Sequence, residues 1–230
     1  METRSIAVLS SVRTPLRTRL QILDAAEARF RIYGYRKTTM AEIAEDVDMS
    51  AANLYRYFED KQDIAAACAG RCMGERLQRL RAVIREPGVS ASERLQSFVL
   101  TMLRYTHEQA HENKKINEVV EIVADERPQF VHEKNKAEQA LLTEILAQGN
   151  SSGEFNVSDV IASARTVHTA IVLFNVPIFM GLYPLPEFEQ AATQVVDLAA
   201  AGARAAIKFF VSSINSVNFI NCSLFKRLIQ

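Results

Sequence analysis

Apolar positions recur at three- and four-residue steps along most of the chain, and strand-like alternation is nowhere sustained. From about Leu16 the sequence places Leu20, Leu23, Ala26, Phe30 and Tyr33 on one stripe, with Asp24, Glu27 and Arg31 between them. That spacing predicts an amphipathic helix, which Gly34 would end as a glycine just past a helix terminus. Thr39 followed by Glu42 is a capping box and opens a second, short helix with Ile43, Ala44 and Val47 as its apolar face. After the tight turn "VDMS", Ser50 offers another N-cap, and a third helix is predicted over Ala51–Phe58. Two short helices joined by such a turn form a helix-turn-helix pattern. A longer helix begins near Asp60, runs through Ile64, Leu77, Leu80 and Ile84, and stops before Pro87 and Gly88.

The rest reads as longer helices. One spans Ser90 to about Glu112 and opens with a second capping box, Ser90 and Glu93. A short one covers Lys115–Asp125 through Ile116, Val119, Val120 and Val123. Another runs Pro128–Gln148, closed by the loop "GNSSGEF". Ser158–Tyr183 is apolar around most of its circumference, so it must be covered on several sides, and Pro177 is expected to kink it. A last helix is predicted from Pro186 to about Phe210. Met1–Pro15 lacks a clear period and reads as a flexible arm, made basic by Arg4 and Arg13 and, at its junction, Arg17 and Arg19. From Phe209 the composition turns to Asn, Ser, Phe and Ile, a tail of uncertain origin.

Composition narrows the class. The 230 residues are 48% hydrophobic and 23% charged, a globular balance. Lysine plus arginine and aspartate plus glutamate number 27 each, so bulk charge gives no argument for nucleic acid and any such argument must be local. Three cysteines, Cys68, Cys72 and Cys222, imply no disulfide framework and favour a reducing cytoplasm. The most apolar run, Thr169–Tyr183, is too short to span a bilayer. No cofactor is expected.

The local argument lies in the third helix. Ser50, Ala51, Ala52 and Asn53 are small or able to hydrogen-bond, which lets a helix approach base edges in a major groove, and Asn53 suits a bidentate contact to adenine. Tyr55, Arg56 and Tyr57 can reach base edges or phosphates, while Leu54 and Phe58, four apart, face the core. Thr38, Thr39 and Lys61 flank the helix and suit phosphate oxygens. The same polar aromatics and arginine are equally compatible with a solvated helix lying over apolar neighbours.

Ile22–Lys61, "ILDAAEARFRIYGYRKTTMAEIAEDVDMSAANLYRYFEDK", closely resembles the DNA-binding module of the TetR/AcrR family of transcriptional regulators. The matching positions are Ala25, Ala26 and Phe30; Gly34 and Tyr35; Thr38 and Thr39; Ile43 and Ala44; Met49 and Ser50; and Leu54–Phe58 followed by Lys61. The resemblance implies that Thr39, Tyr55 and Lys61 contact phosphates of a double-stranded operator and that Ala51, Ala52, Asn53 and Tyr57 face its bases. Ala52 stands where many members carry glycine, and the acidic Glu42, Glu45, Asp46 and Asp48 offset the basic residues. The expected fold is all-α: a three-helix helix-turn-helix DNA-binding domain at 16–62, then a helical effector-binding and dimerisation domain at 63–208. The expected activity is that of a cytoplasmic, homodimeric repressor released from DNA by a small molecule, not an enzyme.

For the larger domain the resemblance carries no individual residues. Met102, Tyr105, Val119, Ile122, Val123, Phe130, His168, Phe174 and Met180 are the pocket-lining candidates, each also compatible with plain core, and suggest an apolar or amphipathic effector. Ala191, Ala192, Ala199, Ala203 and Ala206 allow close helix approach, in a dimer interface or within one subunit. "HEQAH" at His107–His111 fits H-E-x-x-H, with Glu108 as a general base, and would make a zinc-dependent hydrolase or a metal-responsive regulator the alternatives. Its setting, "HEQAHENKK", reads as solvated surface. Cys68 and Cys72 share a helical face and would serve a redox-responsive regulator if they are not simply buried thiols.

Overall fold

The computed structural model describes residues 2–204, with side chains from 15 to 203; the tail from residue 209 and Ala206 lie outside them. Among the described residues nine α-helices follow one another: α1 (Glu2–Ile32), α2 (Met40–Asp46), α3 (Ala51–Leu54), α4 (Lys61–Ile84), α5 (Ala91–Glu112), α6 (Ile116–Glu126), α7 (Pro128–Ser152), α8 (Val160–Ala170) and α9 (Leu185–Arg204). No strand occurs among them. The described backbone forms two compact units, residues 2–71 with Asn113–Glu126, and Cys72–Glu112 with residues 127–204. The helix α4 contributes its first half to one and its second half to the other.

The first unit is built on the stripe read from the sequence. Ile22, Ala26, Phe30, Ile43, Leu54, Phe58 and Ile64 are almost wholly buried together. Arg71 on α4 reaches α1, pairing with Glu27 and, at 2.6 Å, with Asp24. Arg29 grips Asp46 through two hydrogen bonds, 2.5 and 2.8 Å, and so ties α1 to α2. The unit takes in more chain than the stretch 16–62, because α6 packs against the end of α1. Gly34 makes that approach possible. Its φ is +88°, and a Cβ there would lie 2.6 Å from Glu118 Oε2, so a side chain is excluded twice over. Glu118 then accepts a hydrogen bond from the Arg36 backbone N–H at 3.1 Å, and Arg36 pairs with Glu121 at 3.1 Å.

Some boundaries differ from the expected ones. Helix α1 begins at Glu2 and carries Pro15 within it, so the stretch expected as an arm is helical. The third helix is regular only to Leu54; from there Arg56 N–H and Tyr57 N–H bond to Asn53 and Leu54 carbonyls three residues back, a tightened turn that still delivers Phe58 to the core. Helix α7 runs past Gln148 to Ser152 and ends at Gly153, whose φ of +76° lets the Glu154 and Phe155 N–H groups return to the Gly149 carbonyl.

The second unit packs α5 against α7 and α9, and α7 against α8. Phe98, Met102, Leu142, Ile145, Phe174 and Phe188 lie in its core. At one end the Glu154 carboxylate accepts the Ala91 and Ser92 N–H groups, at 2.7 and 2.9 Å, and closes the α5 N-terminus, beside the predicted Ser90–Glu93 box. The largest departure from expectation is the apolar run Ser158–Tyr183. It is not one kinked helix: α8 stops at Ala170, and two short 3₁₀ turns follow, Val172–Phe174 and Pro177–Phe179. The break presents Asn175 to a buried ionic group on α4, α7 and α8, a demand that an apolar periodicity does not reveal. Of the small residues on the last helix, Ala192, Ala199 and Ala203 are buried in this unit's own core.

Candidate nucleic-acid interface

Helix α2 starts as its sequence requires. Thr39 N–H donates to Glu42 Oε2 at 2.8 Å, and Glu42 N–H donates back to Thr39 Oγ1 at 3.3 Å. The hydroxyl also holds the Glu42 carboxyl below its ordinary pKa. The turn to α3 passes through Asp48 at φ +53°, a conformation aspartate tolerates better than most residues, and the Met49 N–H returns to the Ala44 carbonyl at 3.0 Å. Ser50 Oγ then accepts the Asn53 N–H at 3.2 Å and caps α3.

Around that short helix the residues divide cleanly. Leu54 and Phe58 are buried, as expected. Ser50, Ala52, Tyr55 and Arg56 are exposed, with Ala51, Asn53 and Tyr57 half-exposed beside them. Tyr55, at 53% exposure, is an aromatic held outward on an ordered element. The open face therefore carries two alanines, an asparagine amide, tyrosine hydroxyls and a guanidinium, a set able to approach base edges closely and to donate to anionic oxygens. Thr39 is exposed at the start of α2, on the same connection.

Two of the predicted phosphate ligands donate to the protein's own backbone. Thr38 is 1% exposed, and its hydroxyl donates to the Gly34 carbonyl at 2.8 Å. Lys61 turns inward: its ammonium donates to the Tyr35 and Thr38 carbonyls at 2.8 and 2.6 Å and lies 4.2 Å from the centre of the Tyr35 ring. Partial burial lowers its pKa. Both residues donate into the turn that presents Thr39, Lys61 while remaining half-exposed, because the α1–α2 connection leaves carbonyls that need donors. Sequence reasoning missed Arg19 as a positioning residue. It donates to the Tyr57 carbonyl at 2.5 Å and stacks 3.9 Å over Phe58, which fixes the end of the α3 turn. The pairing joins residues 38 apart, so no local pattern announces it. The acidic residues of α2 are also less repulsive than composition suggests, since Arg29 lies against both Asp46 and Glu42.

Two family models fit the chain: "Bacterial regulatory proteins, tetR family" over residues 22–68 and "Tetracyclin repressor-like, C-terminal domain" over residues 91–196. The first covers the helix-turn-helix just described, and the second the larger helical part. The chain belongs to the TetR/AcrR family of transcriptional regulators. Among relatives of this TetR/AcrR member, the HTH-type transcriptional repressor KstR2 of Mycobacterium tuberculosis is 24% identical over 136 residues, 59% of this chain and 68% of KstR2. The structure also resembles SmeT, the repressor of a Stenotrophomonas maltophilia multidrug efflux pump, with a TM-score of 0.58 and 19% identity over 83% of this chain and 92% of SmeT. A SmeT–triclosan complex matches with a TM-score of 0.58 and 20% identity, over 84% and 94%.

Of the pocket candidates, Val119, Ile122 and Val123 belong to the first unit through α6, whereas Met102, Tyr105, Phe130, His168, Phe174 and Met180 belong to the second. Met102, Phe174 and Met180 are packed core. Tyr105 donates its hydroxyl to the Cys72 carbonyl at 2.9 Å; burial pushes its pKa well above the usual value. The His107 and His111 rings stack 6.3 Å apart, but Glu108 is paired with Arg79 at 3.0 Å. No group of three histidine, cysteine or acidic side chains among the described residues is arranged to hold a metal. Cys68 is buried in the first unit, its thiol directed at the Leu23 carbonyl, and Cys72 is half-buried. No described helix is long and apolar enough to cross a membrane.

Proposed function

We propose that this chain is a ligand-responsive transcriptional repressor that binds its operator as a homodimer and is released by a small molecule. The observation that carries the reading is the capped, core-anchored α3 turn with Ala52, Tyr55 and Arg56 open to solvent. Ala51, Ala52, Asn53 and Tyr57 face the bases, and Thr39, Ser50, Tyr55 and Arg56 engage phosphates. Thr38 and Lys61 support the reader from behind. Two copies reach half-sites on one face of the duplex. Ile161 on α8 and Leu198 on α9, 62% and 57% exposed, are apolar surface suited to a subunit interface. SmeT and KstR2, both named repressors, and the SmeT–triclosan complex support repression and a small-molecule effector. By linkage, an effector that binds better to the DNA-incompetent conformation weakens DNA binding, and a hundredfold release needs about 2.7 kcal/mol of coupling.

The test is selection of genomic fragments by the purified protein, followed by gel shifts on the recovered sites, with the oligomer read by light scattering. A palindromic site bound by a dimer supports the proposal. Binding that is indifferent to Asn53→Ala and Tyr55→Ala, or a protein monomeric at micromolar concentration, refutes it.

A further inference from the structure

The core of the second unit holds a charge cluster that the DNA-binding reading does not use. Glu138 on α7 is fully buried. Its carboxylate meets the Arg76 guanidinium of α4, the Lys134 ammonium at 3.4 Å, the His168 Nε2 of α8 at 2.9 Å and the Asn175 amide at 2.8 Å. Arg76 also donates to Asn175 Oδ1 at 2.7 Å. One carboxylate thus faces a guanidinium and an ammonium before the histidine is counted, which leaves excess positive charge where Glu138 and Arg76 are buried and the Lys134 side chain is 17% exposed. Burial works against the Glu138 carboxylate, but Arg76, then Lys134 and His168, outweigh it and hold its pKa below the usual range. Lys134 shows the converse: burial, only partly offset by Glu138, pulls its pKa down to about 8.

Two further observations concern the same group. Arg76 Nε is a buried donor without a hydrogen-bond partner among the described residues. A cavity of about 10 Å³ adjoins the group, its polar wall formed by Lys134, Asn135, His168, Thr169 and Asn175 and its apolar wall by Val172 and Val176. It has room for about one water or one ligand oxygen. The apolar wall belongs to the stretch where α8 gives way to 3₁₀ turns, so a ligand entering there meets backbone already departed from the regular helix.

We propose that this cluster is the recognition site for a carboxylate-bearing effector, with one carboxylate oxygen in the cavity against Lys134 and His168 and the apolar remainder over Val172 and Val176. The proposal narrows the effector class and rests on the effector-responsive reading only for its consequence on DNA. A carboxylate in the cavity supplies the negative charge that the Lys134 and Arg76 cations leave unmatched. An uncharged molecule of the same size supplies neither.

The test uses full-length protein without DNA and hexanoate as the probe, with hexanamide as its uncharged match, followed by calorimetry at pH 7. Hexanoate is expected to bind at least about tenfold more tightly than hexanamide, the worth of one charge-assisted hydrogen bond. Lys134→Met, which keeps the side-chain length and removes a poorly solvated cation, abolishes that preference without lowering the melting temperature. Raising the pH to 9.5 deprotonates Lys134 and weakens hexanoate more than about tenfold in the parent but not in the variant; Glu138, held below the usual carboxylate range, stays ionised. Glu138→Gln, which removes the internal counter-ion, strengthens hexanoate binding. Equal affinity for the two probes, or undiminished hexanoate binding by Lys134→Met, overturns the proposal. Hexanoate that binds as described but leaves operator affinity unchanged supports the site and counts against the effector-responsive reading.

Discussion

Lys61 separates two accounts of the same residue. The resemblance implies a phosphate contact; the structure gives its ammonium to the Tyr35 and Thr38 carbonyls and places it over the Tyr35 ring. Lys61→Met keeps the stem and removes the charge. Two charge-assisted hydrogen bonds are worth about 1.5–3 kcal/mol each when buried, and the ring contact about 0.5–1 kcal/mol. The ammonium is only partly buried, so water replaces much of this, and desolvating it had a cost. A net loss of about 2 kcal/mol is reasonable, which for a chain of this length lowers the melting temperature by about 4–8 °C. The assay pairs thermal unfolding with operator binding by fluorescence anisotropy across a salt series. If Lys61 is a clamp, the melting temperature falls and the slope of log affinity against log salt is unchanged. If it neutralises one phosphate per subunit, the slope drops by about 0.9 for each phosphate left without its cation. An unchanged melting temperature with a reduced slope would refute the clamp.

Other outcomes follow from the same geometry. Tyr55→Ala weakens binding to all duplexes by a similar factor, whereas Asn53→Ala changes which sequence a selection recovers. Gly149→Ala puts a Cβ 2.1 Å from the Phe155 ring and is expected to cost about 1–3 kcal/mol in chemical denaturation, much of it recovered when Phe155 is shortened to leucine in the double variant. Because Lys134 titrates near 8 when folded and near about 10.4 when unfolded, the unfolded chain holds the extra proton between those values. Stability therefore rises with pH through that window, and the rise disappears in Lys134→Met when melting is followed from pH 8 to 10.

Much of this was legible in the order of residues. The capping boxes at Thr39 and Ser90, the cap at Ser50, the glycine end at Gly34 and the inward pair Leu54 and Phe58 are local devices, and each works as its chemistry dictates. What was not legible depends on groups brought together from afar. Thr38 and Lys61 look like a solvent-facing polar pair until the α1–α2 connection needs donors for its carbonyls. Arg19 finds Tyr57 only after folding. The run Ser158–Tyr183 has a helical period throughout, yet it breaks to bring Asn175 to Arg76 and Glu138. Pocket candidates chosen by hydrophobicity fall in both units, and packing partners cannot be told from ligand contacts by residue type.

The membership of α6 in the first unit has a practical side. The polypeptide quits that unit after Arg71, re-enters for residues 113–126 and quits it again. A fragment ending at Arg71 would strip away Val119, Val123 and Ala124 and leave Gly34 facing an empty slot where Glu118 belongs. Anyone wishing to transplant this reader onto a foreign sensor must therefore splice in two places and carry the second insert along, or accept a module whose floor is missing.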